Sequence, residues 1–172
     1  MRVDDLPSVW SAAWFILPVL AICIWVAWSD MKFMKIPNTA VLTLAAVYVV
    51  IGPIALPFGA WLWGLALGAI VLAVGFVASS LRLVGAGDSK FAAAMAPFFT
   101  ETSPAFVFIL FGICLLAAFT AHRLMRSVRP FRAASADWAS WTHAKFPMGL
   151  ALAGTLCFYF LLALLNSARI SP

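Results

Sequence analysis

The sequence predicts an all-α fold, a polytopic bundle of membrane helices, and three observations predict it. Of 172 residues, 65% are hydrophobic and only 10% are charged, where a soluble domain carries about 45–50% apolar and about 25% charged residues. The mean hydropathy is +1.06. The apolar residues are gathered into runs of the length that crosses a bilayer, about 20 residues of helix with a range of about 17–25. So little charge cannot cover a water-facing surface, which excludes a soluble globule and a disordered tail. The net charge of +5 does not make a nucleic-acid binder, because the basic residues lie in short loops between apolar runs. The expected surroundings are the lipid bilayer, and the length suits one domain over residues 1–172.

Six spans are expected, at roughly 9–28, 39–56, 58–80, 85–100, 103–122 and 147–166, with a cytoplasmic loop at 123–146. The first is not a cleavable signal, since Asp4 and Asp5 oppose Arg2 ahead of it and a signal wants a positive start. It reads as a retained helix leading into Asp30 and Lys32. The second and third are separated by Gly52-Pro53 through Pro57, an uncharged stretch that reads as a tight turn on one membrane face. The fourth is short. Phe91 to Thr100 alone cannot cross, but a helix starting near Gly85 can, with Asp88 and Lys90 at the membrane edge. The alternative is a re-entrant hairpin.

Lysine and arginine placement decides between these, because positive residues collect in cytoplasmic loops. With six spans and both termini outside, the inner loops hold Lys32, Lys35, Arg82, Lys90, Arg123, Arg126, Arg129, Arg132 and Lys145, nine against the outer pair Arg2 and Arg169. Without the fourth crossing the tally is five against six. The expectation is therefore six crossings, with both termini outside the cytoplasm. The 123–146 loop, with four arginines and Phe131, Trp138 and Trp141, reads as an interfacial segment on anionic lipid or as a docking surface.

Several chemistries find no support. Cys23, Cys114 and Cys157 fall in separate apolar runs without a Cys-x-x-Cys pair, so they read as small buried residues rather than a zinc site or disulfide framework. His122 and His143, both placed in the basic loop, lack partners at metal-ligand spacing. Ser79 and Ser80 lack a G-x-S-x-G setting. No metal and no cofactor is expected.

Acidic residues are the remaining candidates. Asp4, Asp5 and Glu101 fall in outer segments and Asp137 in the basic loop, whereas Asp30 and Asp88 end the first and fourth spans on one membrane side. They can meet although 58 positions separate them. Ionisable groups at membrane depth are costly and usually face the bundle interior. Asp30 taken alone also reads as a solvated helix-end residue paired to Lys32 or Lys35, with Pro37-Asn38 merely starting the next helix. In Gly85-Ala86-Gly87-Asp88-Ser89-Lys90 the glycines loosen the helix and bare the backbone, and the P-loop pattern is absent. Two carboxylates meeting in a partly dry cavity share a proton. The ionised one is then a base for water, and the protonated one polarises a carbonyl. Peptide hydrolysis needs nothing else.

Asp30 with Lys35-Ile36-Pro37-Asn38, followed by Gly85-Ala86-Gly87-Asp88-Ser89-Lys90, resembles the type IV prepilin peptidases, the G-x-G-D membrane aspartic peptidases. Phe146-Pro147-Met148-Gly149 resembles the family's Pro-Tyr-Gly stretch, with Met148 in place of the usual tyrosine. The resemblance implies the G-x-G-D protease fold and removal of the basic leader from a membrane-inserted prepilin at the cytoplasmic face. It implies Asp30 and Asp88 as the catalytic pair, and Lys35, Pro37, Asn38, Gly85, Gly87, Lys90, Pro147 and Gly149 as motif support. Proximity in sequence suggests that Lys90 influences Asp88. The N-terminal tetra-cysteine zinc region of long members is not seen here. That points to the short branch serving Flp/Tad-type pili, without the N-methylation many long members perform, and to pilus assembly machinery as a possible partner. Two other classes stay open: a transporter or channel using the acidic pair as a proton or cation site, and a non-enzymatic assembly subunit.

Overall fold

The structure is a computed structural model that describes residues 6–170, with side chains described to residue 166. Arg2, Asp4, Asp5 and the side chain of Arg169, on which the expected placement of the termini partly rests, lie outside the described residues. Helix α1 spans Val9–Phe33, α2 Asn38–Ala55 and α3 Phe58–Ser80. Helix α4, Ala86–Met95, continues into a 3₁₀ turn at Ala96–Phe99, followed by α5, Pro104–Ser127. The short α6, Arg129–Ala134, and a 3₁₀ turn at Ala139–Trp141 lead to α7, Met148–Ile170. Helices α1, α2, α3, α5 and α7 are long and apolar enough to cross a membrane; α4, with ten residues, is not.

Local chemistry explains the ends. Ser8 caps α1 by accepting from the Ser11 N–H at 3.1 Å, and Ser103 caps α5 by accepting from Phe106. Pro104 opens α5 at the position where a missing N–H costs nothing. Pro97 has no N–H to continue the α4 ladder, and the chain tightens into its 3₁₀ turn there.

Several boundaries differ from the sequence reading. Helix α2 runs through Gly52 and Pro53 to Ala55, so the expected turn shrinks to Leu56-Pro57. Helix α1 continues to Phe33 and contains Asp30. Helix α5 continues to Ser127, which takes His122 out of the expected loop; it is buried and stacks on Trp141 at 5.0 Å. The remaining loop is folded. Trp138 stacks on Trp141 at 5.8 Å, Phe131 meets both rings edge-on, and Lys32 pairs with Asp137 at 2.9 Å, which ties the loop to α1. Its aromatics pack on one another.

The core lies between α1 and α7, with Phe15, Tyr48, Phe98 and Phe160 packed at 5.0–6.2 Å. Gly149 at the start of α7 meets Asp30 near the end of α1, so these helices are antiparallel. Helix α4 starts level with Asp30, and its 3₁₀ turn brings Phe98 against Phe15. Phe15 stands 15 residues before Asp30 on α1, about 22 Å along the axis. Helix α3 packs through its glycines: at Gly64 a β-carbon would collide with the Tyr48 hydroxyl, and at Gly68 it would sit 3.0 Å from Pro97. Most other faces of α3 are apolar and exposed, as suits a helix at the edge of a bundle in lipid.

Candidate active site

Asp30 lies one turn before the end of α1 and is 5% exposed. Its Oδ2 accepts the backbone N–H of Gly149 at 2.7 Å. Gly149 is the second residue of α7, where N–H groups have no partner within the helix and the dipole is positive. Asp30 therefore caps a helix through a residue 119 positions later. The approach needs glycine: a β-carbon at 149 would sit 2.9 Å from both Cβ and Oδ2 of Asp30. The reading of Asp30 as paired to Lys32 or Lys35 is corrected by this geometry. Lys32 pairs with Asp137 instead.

Asp88 sits in the first turn of α4, whose N-cap is Gly85. Its carboxylate folds back over Gly85 so closely that a β-carbon there would collide with Oδ2. The position puts a carboxylate at the positive end of a helix dipole, which favours negative charge. The turn between α1 and α2 is fixed against this end of α4. Met34 takes a left-handed conformation with φ 52°, the Ser29 hydroxyl donates to the Lys35 carbonyl at 2.9 Å, and Ile36 lies beside Gly87.

Together these elements enclose a cavity of about 520 Å³ lined by both aspartates. Lys35, Pro37, Asn38, Gly85, Gly87 and Lys90 line it as well, so six of the eight supporting residues are brought together with the acids. Gly149 reaches the cavity through Asp30, and Pro147 is buried at the entry to α7. Lys90 donates to Asn38 Oδ1 at 3.2 Å. Asp30 and Lys145 both lie within electrostatic reach of Asp88. Met34, His143, Lys145 and Met148 also line the cavity. Sequence reasoning did not assign these four a role, yet a signal was present: His143 and Lys145 immediately precede the Phe146–Gly149 stretch that delivers Gly149 to Asp30.

Residues 17–121 match the type IV leader peptidase family. The chain belongs to that family. No curated protein and no solved structure gives a match. The stretch matched to the family carries Asp30, the α1–α2 turn and Gly85–Lys90. The residues that complete the cavity, His143, Lys145, Met148 and Gly149, lie beyond it.

Proposed function

We propose that this leader peptidase is an aspartic endopeptidase that removes the leader of a membrane-inserted prepilin, with Asp30 and Asp88 as its catalytic pair. The observation that carries the reading is one cavity at one end of the bundle, lined by both carboxylates and placed where α1 and α4 meet the start of α7. The pair holds one proton between them, and that titration belongs to the two together. The ionised carboxylate takes a proton from water as the water oxygen bonds to the scissile carbonyl carbon. The protonated one donates to the carbonyl oxygen. The tetrahedral species then collapses: one of its hydroxyls returns a proton to the carboxylate left ionised, the C–N bond breaks, and the amine takes up the proton held by the other, which leaves the pair with one proton again. Lys35, Lys90 and Lys145 around the cavity supply positive charge that favours the ionised member of the pair.

On this reading α4 and its 3₁₀ turn form a sixth passage, since they extend from the level of Asp30 to that of Phe15. Both termini then lie on the periplasmic face of the inner membrane, and the cavity on the cytoplasmic face. The short Flp/Tad-type branch, without N-methylation, remains the assignment to test. Co-expression with candidate prepilins from the same genome tests the function. Leader removal appears as a size shift that Asp30→Asn and Asp88→Asn each abolish; normal processing by both variants overturns the proposal.

A further inference from the structure

We infer that the apolar groove between α2 and α3, floored by α4, seats the first turns of the apolar helix that follows the scissile bond of the substrate. The inference rests on the reading of the chain as a peptidase of membrane-inserted precursors and names how such a precursor is held. Helices α2 and α3 meet near their connecting turn, where Tyr48 and Gly52 lie against Gly64 and Trp61, and are held apart beyond it, while each packs on α4. The space left between them is about 510 Å³ and almost wholly apolar. It extends along α2 from Asn38 to Val49, about 16 Å or three turns of helix.

Two features favour a peptide helix over a lipid chain. The walls and floor are rich in small residues, Ala45, Gly68, Ala69, Ala93 and Ala94, which let a second backbone approach closely where no hydrophobic force drives helices together. The groove is also continuous with the aspartate cavity, because Asn38 and Lys90 line both and are hydrogen-bonded to each other at 3.2 Å. A chain cut at the aspartates that runs on past the Asn38–Lys90 pair enters this groove. The cavity itself carries three lysines against two aspartates, so it does not draw a basic leader in by charge. Selection of the precursor falls to the apolar segment.

The test uses the full chain in proteoliposomes with two substrates. One is a prepilin with its whole apolar helix; the other is the same prepilin's peptide ending about one helical turn past the scissile bond. Ala69→Trp fills the groove and should lower the ratio of full-length to short-peptide cleavage at least tenfold; an unchanged ratio overturns the inference. A photo-crosslinking residue at position 69, in an otherwise unaltered groove, should capture the prepilin far more than one at Ile70, which does not line the groove. Equal capture at the two positions, or capture of phospholipid alone at position 69, overturns it independently. Failure of the unmodified chain to cut either substrate would count against the peptidase reading itself, and the crosslink would still report on the groove.

Discussion

Asp30 accepts the Gly149 N–H at 2.7 Å, with no room between them for a methyl group. The bond joins the end of α1 to the start of α7 and points an acid at the positive end of a helix. Gly149→Ala places a β-carbon 2.9 Å from Asp30 Oδ2, so the carboxylate or the helix must move. Displacing a reacting group by about 1 Å can cost on the order of 100-fold in rate. Leader cleavage by Gly149→Ala should fall by at least about tenfold, about 1.4 kcal/mol of barrier, with normal accumulation in membranes. Gly59→Ala and Gly112→Ala, which would meet nothing within 4 Å, should cleave at the unmodified rate. Equal behaviour of all three variants would show that the close contact is irrelevant to the chemistry.

The capping role of Asp30 separates two substitutions at one position. Asp30→Asn keeps an oxygen that can accept the Gly149 N–H, while Asp30→Ala leaves that buried group unpaired, at about 1–3 kcal/mol. Both should lose general acid–base catalysis, a drop of about 100-fold or more. Only Asp30→Ala should also melt at lower temperature. Asp88→Asn should lose cleavage to the same degree without the loss of stability, since among the described residues no hydrogen bond from another helix ends on it. A thermal-shift series in detergent beside the cleavage assay reads both. A stable, active Asp30→Ala would remove Asp30 from both roles.

The long apolar runs were legible as helices because length and hydropathy decide a membrane helix almost alone. What misplaced their ends was local. Gly52 and Pro53 look like a turn, yet Pro53 lies in the last turn of α2, where the Leu56 N–H still reaches the Gly52 carbonyl at 2.9 Å. His122 looks like a loop residue because arginines surround it, but its ring is buried against Trp141, a contact that no sequence spacing encodes. Asp30 and Asp88 line one cavity, as the six-span reading expects of two acids at the same end of the bundle. The third partner, the start of α7, was visible only as a short motif, because a backbone N–H leaves no trace in residue type. His143 and Lys145 were missed for the same reason: their place depends on how the loop folds back, and the Lys32–Asp137 pair fixes that.

That pair makes a pH prediction. The Lys32 ammonium, hydrogen-bonded to Asp137, holds its carboxyl below the ordinary value of 3.8. A depressed carboxylate stabilises the docked loop above its ordinary titration range, and the stabilisation is lost as pH falls through its lowered value. The loop over 128–146 should stay docked from neutral pH down to about pH 4 and loosen below that. Asp137→Asn should show the loosened state already at neutral pH, and added salt should shift the unmodified chain toward it, as both partners are partly exposed. Hydrogen exchange of the loop amides measures this. Identical exchange in the two chains at neutral pH would show that the aromatic stack alone holds the loop.

Gly64 and Tyr48 supply a test of how α3 is held on the bundle. The Tyr48 hydroxyl donates to the Trp61 carbonyl at 3.2 Å and occupies the space where a side chain at 64 would begin; the Pro97 carbonyl lies 3.0 Å from that point. Gly64→Ala should overpack this junction and cost about 1–3 kcal/mol. Tyr48→Phe alone removes a hydrogen bond worth about 1 kcal/mol. It also removes the atom most in the way, so the double variant should be less destabilised than the sum of the two singles, a coupling of about 0.5 kcal/mol or more. The ring carbon Cζ, 2.6 Å from that point, and the Pro97 carbonyl remain, so the rescue should be partial. Strict additivity in thermal denaturation would mean that α3 shifts away from α2 to accommodate the methyl. In that case the groove between them widens, and cleavage of a membrane-inserted precursor should change in the same variant.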